Sequence, residues 1–341
     1  MKTVVLDKPF SFRLTETEPP GEPGQGEALV RVQRVGICGT DLHAYQGNQP
    51  FFDYPRILGH ELAVEIVALG PFSQAHGLAV GDRCAVEPYL NCGTCIACRR
   101  GRTNCCERLS VLGVHQDGGM REQVIVPIAK LHKANGVPPE QLALVEMLCI
   151  GAHAARRAAI EPGEPALIIG AGPIGLGTMQ FARALGAEVI AMDINAQRLA
   201  FCQENLGIQR MVDARGDAAA QVRDLLGGDL PTLVFDATGN ARSMMDAFNY
   251  TAHSGRIVYV GLVKGEITFS DPYFHSHELT LLATRNATGD DFAWVIDSLA
   301  RRQVSVTGWD THYATPETLA ADFPSWLLPE TGVIKAMLTF E

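Results

Sequence analysis

The chain has 341 residues, of which 47% are hydrophobic and 19% are charged, and its length favours two domains over a single core. The formal net charge of −10 argues against a nucleic-acid partner. The longest apolar runs are short and interrupted by glycine, which argues against a membrane-spanning helix. The N-terminus lacks the pattern of a secretion signal, so the expected location is the cytoplasm.

The first 150 residues predict a β-rich domain. Four apolar runs in this part are bounded by glycine, proline or aspartate and show little helical periodicity: ALVRVQRVGI, LAVEIVALG, DRCAVEPYL and EQVIVPI. Runs of this length and composition are typical of strands that are joined by turns.

Five of the nine cysteines fall within NCGTCIACRRGRTNCC, residues 91–106. Two residues separate Cys92 from Cys95 and Cys95 from Cys98, so three thiolates can converge on one tetrahedral ion, and a fourth would complete its shell. A closed set of four thiolates leaves no position for a substrate, which predicts a structural metal site. A nucleic-acid-binding zinc ribbon is the alternative, and the acidic charge and the absence of two separate CxxC pairs disfavour it.

A second set of ligand-type residues is dispersed along the chain: Cys38 in GICGTDLH, His60 and Glu61 in ILGHELAVEI, and Glu146 in ALVEMLCIGAHA. A small buried residue or a hydrogen-bonded polar residue would explain each of them individually. Together they supply one thiolate, one imidazole and carboxylates. A mixed set of this kind leaves a zinc coordination position open, which catalysis requires.

Strands and helices alternate from about residue 165. Six apolar runs indicate short strands, with helical stretches between most of them: PALIIG, AEVIAMD, RMVDA, TLVFDAT, GRIVYVG and LTLLATR. This alternation predicts a parallel, doubly wound sheet with helices on its faces.

The first turn of this second half carries a glycine pattern, in which Gly170, Gly172 and Gly175 fit GxGxxG between a strand and a helix. The pattern predicts a dinucleotide whose pyrophosphate lies at the N-terminus of the helix. Asp193 ends the next strand and can accept hydrogen bonds from both ribose hydroxyls, which favours NAD over NADP. Arg198 could lie over the adenine or pair with Asp193, and an arginine in reach leaves some use of NADP open.

Five motifs in this order and spacing give the whole chain a family resemblance: GICGTDLH, ILGHE, CGTCIACRRGRTNCC, VLGVHQDGG and GAGPIG. They resemble the zinc-dependent medium-chain dehydrogenase/reductase family, and within it the polyol, threonine and sugar-acid branch. The resemblance implies an α/β protein with a GroES-like catalytic domain over residues 1–150, a Rossmann NAD-binding domain over 151–300, and a return to the catalytic domain over 301–341. It also implies a homodimer or homotetramer.

The resemblance also implies two zinc ions per chain. The catalytic ion would be bound by Cys38, His60 and Glu61, with Glu146 bound directly or through a water molecule. The structural ion would be bound by four cysteines, which leaves Cys105 spare: Cys92, Cys95, Cys98 and Cys106.

Other residues take their roles from the same resemblance. Thr40 and His43 would relay the substrate proton, and Asp41 would orient His60. The residues expected to bind the cofactor lie in the second half of the chain: Gly170, Gly172, Pro173, Ile174, Gly175, Asp193, Arg198, Thr238, Val260, Gly261, Leu262, Thr284 and Arg285.

The expected reaction transfers hydride from a secondary alcohol to NAD. The loop YQGNQPFFDYPRILGHE resembles that of enzymes for sugar acids such as gulonate, idonate or galactonate, so oxidation of a hexonate C5 hydroxyl is the leading hypothesis. A neutral polyol is the second and L-threonine the third. Arg285 could grip a substrate carboxylate or pair with an internal acid, and His115 could face the substrate or belong to a plain loop. A zinc-free structural homologue is disfavoured, because Cys38, His60 and the relay residues are all present.

Overall fold

The computed structural model describes residues 1–49, 52–71 and 77–340. The chain divides into two compact units. Unit 1 comprises residues 1–147, 287–301 and 306–341, and unit 2 comprises residues 148–286 and 302–305. The boundaries predicted from the sequence lie at 150/151 and 300/301. The structure groups residues 287–300 with unit 1.

The first part of the chain consists mainly of strands. In chain order its strands and helices are β1 (Lys2–Lys8), β2 (Ser11–Glu16), β3 (Glu27–Gly36), α1 (Gly39–Tyr45), β4 (Glu61–Leu69), β5 (Arg83–Val86), β6 (Tyr89–Leu90), α2 (Ile96–Arg99), β7 (Ser110–Val111), β8 (Gln123–Pro127), β9 (Leu131–Lys133), α3 (Pro139–Leu142) and α4 (Val145–Ala158).

The remaining elements alternate between strand and helix until the C-terminal segment. They are β10 (Pro165–Ile169), α5 (Pro173–Ala184), β11 (Glu188–Asp193), α6 (Ala196–Leu206), β12 (Arg210–Asp213), α7 (Ala218–Leu225), β13 (Leu233–Asp236), α8 (Ala241–Asp246), β14 (Arg256–Tyr259), α9 (Asp271–Ser276), β15 (Thr280–Ala283), α10 (Gly289–Ala300), β16 (Asp310–Ala314), α11 (Leu319–Asp322) and β17 (Lys335–Thr339). Short 3₁₀ turns cover Thr103–Cys105, Ile128–Lys130, Ala247–Tyr250, Phe323–Leu327 and Pro329–Thr331.

Seven of the described strands form the main sheet of unit 1. Six lie in the order β16-β17-β3-β4-β5-β9, and β8 also pairs with β3. Along β3, Ala28, Val30 and Val32 are buried while Leu29 and Arg31 are not, which is the alternation of a strand with one face on a core. β17 pairs with β3 in antiparallel register, with Met337 opposite Gly36, so the C-terminal strand completes this sheet.

Six of the described strands form the sheet of unit 2, in the order β12-β11-β10-β13-β14-β15. Every neighbouring pair in it is parallel. The residues of β10 from Ala166 to Ile169 are buried without alternation, as expected for a strand covered on both faces. The strand order reverses between β10 and β13, and ligands of such sheets bind at the carboxyl ends of the strands near this point.

The predicted fold class is confirmed, and the ten apolar runs named above all contain strands. Sequence reasoning missed four strands at the two ends of the chain: β1, β2, β16 and β17. Within the described ranges, the structure contains no helix that is both long enough and apolar enough to cross a membrane.

Candidate active site and metal centres

Cys38, His60 and Glu61 converge in unit 1, with one possible ligand atom from each lying within 4.8 Å of the others. Cys38 is the N-cap residue of α1, and its backbone N–H donates to Asp41 Oδ2 at 2.9 Å. Glu61 is the first residue of β4, and His60 directly precedes it. The start of a helix and the start of a strand therefore bring the three side chains together.

The pocket around these residues favours positive charge. Burial alone would lower the pKa of His60, but the charges of Asp41, Cys38 and Glu146 raise that pKa well above its ordinary value. Burial raises the pKa values of the Asp41 and Glu146 carboxyl groups. Acidic groups that are buried close together need a compensating cation, and a divalent ion can supply it.

Two orphaned atoms provide a further test of the fit to a metal. His60 Nδ1 and Asp41 Oδ1 lie 3.8 Å apart, both are buried, and neither has a hydrogen-bond partner among the described residues. A metal-binding histidine usually donates its other ring N–H to a carboxylate. The arrangement of His60 beside Asp41 fits zinc coordination through the opposite nitrogen, as do the thiolate, imidazole and carboxylate donors themselves.

Glu61 is held by a buried cation that the sequence analysis did not identify. Lys335 Nζ lies 2.5 Å from each carboxylate oxygen of Glu61, and the two residues are 3% and 0% exposed. Gly36 makes room for this carboxylate, because a Cβ atom at Gly36 would lie 2.2 Å from Glu61 Oε2. Lys335 begins β17, so the C-terminal strand contributes a charge to the site.

Glu146 lies outside the convergent group of described residues. It is in the first turn of α4, it is buried, and its Oε1 accepts a short hydrogen bond from the hydroxyl of buried Tyr89. Its charge still influences His60 and Lys335. Glu146 therefore lies near the group without joining it.

The expected relay residues lie on α1. Thr40 is half-buried and His43 is exposed. A spacing of three residues places them on the same face of the helix, one turn apart. Asp41 lies between them and is completely buried.

Cys92, Cys95, Cys98 and Cys106 form the second convergent group, with their sulfur atoms within 4.8 Å of one another. Backbone N–H groups point at these sulfurs: Cys95 N–H donates to Cys92 at 3.4 Å, and Arg108 N–H donates to Cys106 at 3.3 Å. Cys105 is exposed and lies outside this group.

The pKa values of these cysteines are shifted in opposite directions. Hydrogen bonds from the backbone of Thr94 and Cys95 lower the pKa of Cys92 to about 5, whereas burial raises the pKa of Cys98 to about 11. Four adjacent thiols cannot all ionise without positive charge between them. The four sulfur donors fit a closed, tetrahedral zinc site.

The glycine turn of unit 2 has the shape that the sequence predicted. Gly170 has φ of +97°, and a Cβ atom at Gly175 would lie 1.7 Å from the carbonyl oxygen of Gly170. Only glycine fits these two positions. Gly172 is the N-cap of α5, and Pro173 and Ile174 follow in its first turn. The N–H groups of this turn form a cradle for a phosphate.

Asp193 ends β11 beside the turn and is 7% exposed. Its Oδ2 accepts the N–H of Ala171 at 2.6 Å, and its Oδ1 accepts the N–H of Asn195 at 2.7 Å. Each oxygen keeps a further lone pair, so ribose hydroxyls can still be bound. The guanidinium of Arg198 reaches the turn, because its Nη1 would lie 3.8 Å from a Cβ atom at Gly172.

The other expected cofactor residues follow the carboxyl ends of three neighbouring strands: Thr238 follows β13, Val260, Gly261 and Leu262 follow β14, and Thr284 and Arg285 follow β15. Asp236 organises part of this edge. Its Oδ1 accepts the N–H and hydroxyl of Thr238, and its carbonyl oxygen accepts the N–H groups of Val260 and Gly261. Leu262 is 86% exposed and available to a ligand.

The two substrate candidates are both exposed. Arg285 lies two residues beyond the end of β15. His115 is in a turn, where its Nδ1 accepts the N–H of Val111 at 2.9 Å. In the expected substrate loop, Pro50 and Phe51 lie outside the described residues.

Comparison with known proteins decides the family. Residues 24–138 match the alcohol dehydrogenase GroES-like domain, and residues 173–301 match the zinc-binding dehydrogenase family. L-galactonate-5-dehydrogenase of Escherichia coli strain K12 is 44% identical over 340 residues, which is 100% of this chain and 99% of the relative. The chain belongs to the zinc-binding dehydrogenases.

Other zinc-binding dehydrogenases are also similar to it. 2-dehydro-3-deoxy-L-galactonate 5-dehydrogenase of Pseudoalteromonas atlantica is 33% identical and covers 83% of each chain. An alcohol dehydrogenase of Escherichia coli CFT073, crystallised with NADH, superposes with a TM-score of 0.92 at 30% identity and covers 100% of this chain and 99% of its own. The prediction of a zinc- and NAD-dependent dehydrogenase is thereby confirmed.

Sequence reasoning missed Lys335, Tyr89 and Asp236. Lys335 pairs with a residue 274 positions away, which no local pattern reveals. Tyr89 lies just before the cysteine cluster, in EPYLNC. An aromatic residue in an apolar run is typical of a strand, so the sequence alone did not indicate its hydrogen bond to Glu146. Asp236 ends a strand as Asp193 does, and that similarity could have drawn attention to it.

Proposed function

We propose that this dehydrogenase oxidises the C5 hydroxyl of a hexonate with NAD, giving a keto acid, NADH and a proton. The group formed by Cys38, His60 and Glu61 carries the proposal, because three protein donors leave one position of a tetrahedral ion for the substrate. The 44% identity with L-galactonate-5-dehydrogenase over the whole chain supports a sugar acid as that substrate.

The metal-binding residues have separate tasks in this proposal. When bound, zinc supplies Lewis acidity for the hydroxyl and NAD supplies the hydride acceptor. Cys38, His60 and Glu61 hold the ion, and Asp41 fixes the ring of His60. Glu146 contributes through a water molecule, since it lies outside the group.

The proton leaves along α1. The hydroxyl of half-buried Thr40 accepts the substrate proton and passes its own proton on. Exposed His43, one turn later, delivers the proton to solvent. Both residues lie on α1, and the proton would pass from Thr40 to His43 by way of a ribose hydroxyl of the cofactor.

The cofactor lies along the carboxyl edge of the unit 2 sheet. The turn from Gly170 to Gly175 holds the pyrophosphate, and Asp193 binds the ribose hydroxyls and repels a 2′-phosphate. The backbone from Val260 to Leu262 supports the nicotinamide, together with Thr238 and Thr284. The buried hydroxyl oxygen of Thr284 has no hydrogen-bond partner among the described residues, which leaves it available to the cofactor.

Assembly and location complete the proposal. A homodimer or homotetramer in the cytoplasm fits the family, and light scattering of the purified protein at several concentrations tests the assembly.

The substrate is tested by supplying galactonate, gulonate, idonate, sorbitol and L-threonine with NAD and following NADH formation. We expect the highest kcat/KM with a hexonate. A higher value with sorbitol or threonine would overturn the sugar-acid assignment.

Cys38→Ser should abolish turnover while the fold is retained, and a wild-type kcat in that variant would contradict the metal assignment.

The carboxylate of the substrate is assigned to Arg285 within the same proposal. Arg285→Ala should reduce kcat/KM for the hexonate about tenfold more than for sorbitol, because a charge-assisted pair contributes on the order of 1.5 kcal/mol. Arg301→Ala, at an exposed pair with Asp297, is the control. Equal losses on both substrates would remove Arg285 from carboxylate binding.

A further inference from the structure

We propose that Tyr89 is a positioning residue that holds Glu146 away from Cys38, His60 and Glu61, so that the metal position facing the substrate stays open. The inference rests on the proposed zinc-dependent oxidation and identifies what prevents a fourth protein ligand from closing its metal site.

Glu146 is a strong candidate to close the site unless it is restrained. It is a buried carboxylate whose charge influences His60, yet it is not one of the convergent ligands among the described residues. A buried carboxylate near a divalent cation gains free energy by binding it directly. Some other interaction must therefore hold the carboxylate in its present place.

The hydroxyl of Tyr89 supplies that interaction. It donates a short hydrogen bond to Glu146 Oε1, and both side chains are buried, at 3% and 6% exposure. A hydrogen bond between two buried groups is electrostatically stronger than one in water, because the local dielectric is low.

The tyrosine itself cannot easily follow the carboxylate. Its backbone pairs with Val111 across β6 and β7. Its ring packs in a T-shaped arrangement with fully buried Phe292, with the ring centroids 6.4 Å apart and the ring planes at 75°. The pairing and the ring contact fix where the hydroxyl points.

The residues on either side of Tyr89 are also anchored. Lys130 Nζ donates to Glu87 Oε1, and also to Asn91 Oδ1 at 3.0 Å. The amide of Asn91 in turn donates to the sulfur of Cys98 at 3.7 Å. The short segment 87–92 thus connects Glu146, near one metal group, with the cysteines of the other.

Removal of the hydroxyl should let Glu146 turn toward the metal. In Tyr89→Phe the buried Oε1 loses its donor, and coordination of the ion is the available replacement. The site would then have four protein ligands, so the ion would be retained more firmly and the substrate would reach it less easily. If Tyr89 merely supported the metal site, its loss would instead weaken zinc binding.

The test measures zinc release from the zinc-loaded enzyme to a chromogenic chelator. The phase of zinc release that is missing in the Cys38→Ser variant is assigned to the site formed by Cys38, His60 and Glu61. In Tyr89→Phe we expect this phase to be about tenfold slower and kcat/KM for the hexonate to be about tenfold lower. Tyr313→Phe is the matched control, because the Tyr313 hydroxyl donates to the Asp310 carboxylate at the protein surface.

A double-mutant cycle shows whether Tyr89 acts through Glu146. In a Glu146→Gln background, Tyr89→Phe should change neither quantity by more than about twofold. Release that is unchanged or faster in Tyr89→Phe, or an equal effect in the Glu146→Gln background, would overturn the role of Tyr89. If the unaltered enzyme failed to oxidise hexonates, only the proposed substrate would be overturned. The zinc-release measurement needs no substrate, so it would still test the role of Tyr89.

Discussion

At the scale of residues, the first metal group is an accumulation of buried charge. Asp41, Glu61, Glu146 and Lys335 are at most 6% exposed, so three carboxyl groups share this buried region with one lysine. A buried charge without a partner is costly. Lys335 is paired with Glu61, and a divalent cation would compensate the other acidic groups.

Replacement of Lys335 by methionine should separate these contributions. In zinc-free protein, Lys335→Met leaves Glu61 uncompensated and should lower the free energy of unfolding by about 3–5 kcal/mol. The loss should be smaller with zinc bound, because the ion then faces Glu61. Denaturant unfolding of both forms measures the difference, and Lys2→Met, at the exposed pair with Glu317, is the control. An equal loss with and without zinc would contradict the interpretation.

Asp193 controls the choice of cofactor at the same scale. Asp193→Asn removes the charge that repels a 2′-phosphate, so the ratio of kcat/KM with NAD to that with NADP should fall about tenfold, or about 1.4 kcal/mol. Both values come from the same variant, so lost stability cancels in the ratio. An unchanged ratio would show that the Asp193 charge does not select NAD.

At the scale of elements, the four-cysteine loop contains little regular structure of its own. Residues 91–108 contain only the four-residue helix α2 and the short turn Thr103–Cys105. Ile96 is 53% exposed, so the loop does not bury its own apolar side chain there. Backbone N–H groups donate to the sulfurs of Cys92 and Cys106, and a bound metal ion would join these sulfurs and stabilise the loop.

Loss of one ligand should therefore unfold this loop. Cys95→Ser should lose one zinc ion per chain and lower the free energy of unfolding by about 4 kcal/mol. Metal analysis and thermal unfolding measure the two effects. The adjacent control is Cys105→Ser, which changes an exposed cysteine outside the group. Full zinc content in Cys95→Ser would exclude Cys95 as a ligand.

At the scale of the whole molecule, the candidate metal sites and the candidate nucleotide site belong to different units. The two convergent metal groups lie in unit 1, and the glycine turn with Asp193 lies in unit 2. Metal dependence and nucleotide dependence should therefore be separable within one chain.

Zinc removal should reveal this separation. After chelation, amide hydrogen exchange should increase over residues 91–108 and near Cys38, while β10 to β15 stay protected because neither convergent metal group of the described residues lies in that unit. Exchange followed by mass spectrometry measures both regions, and re-addition of zinc is the control. An equal increase in both units would contradict the assignment.

Local patterns predicted much of the site because they depend on chain neighbours. The spacing of Cys92, Cys95 and Cys98 and the turn from Gly170 to Gly175 are set by a few consecutive residues, and both have the expected form. The choice of Cys106 over Cys105 came from family resemblance, and the structure places Cys106 in the group. The grouping of α10 with unit 1 depends on long-range contacts, which no local pattern reveals.

The sequence by itself determined the fold class, through the periodicity of its apolar runs, and the family, through the resemblance of its motifs in order and spacing. Only the tertiary structure decided which charges surround the ligands. Lys335 reaches Glu61 because β17 and β4 both pair with β3, and Tyr89 reaches Glu146 across 57 positions of the chain. These contacts join residues that are far apart along the chain, and their geometry exists only once the sheet has formed.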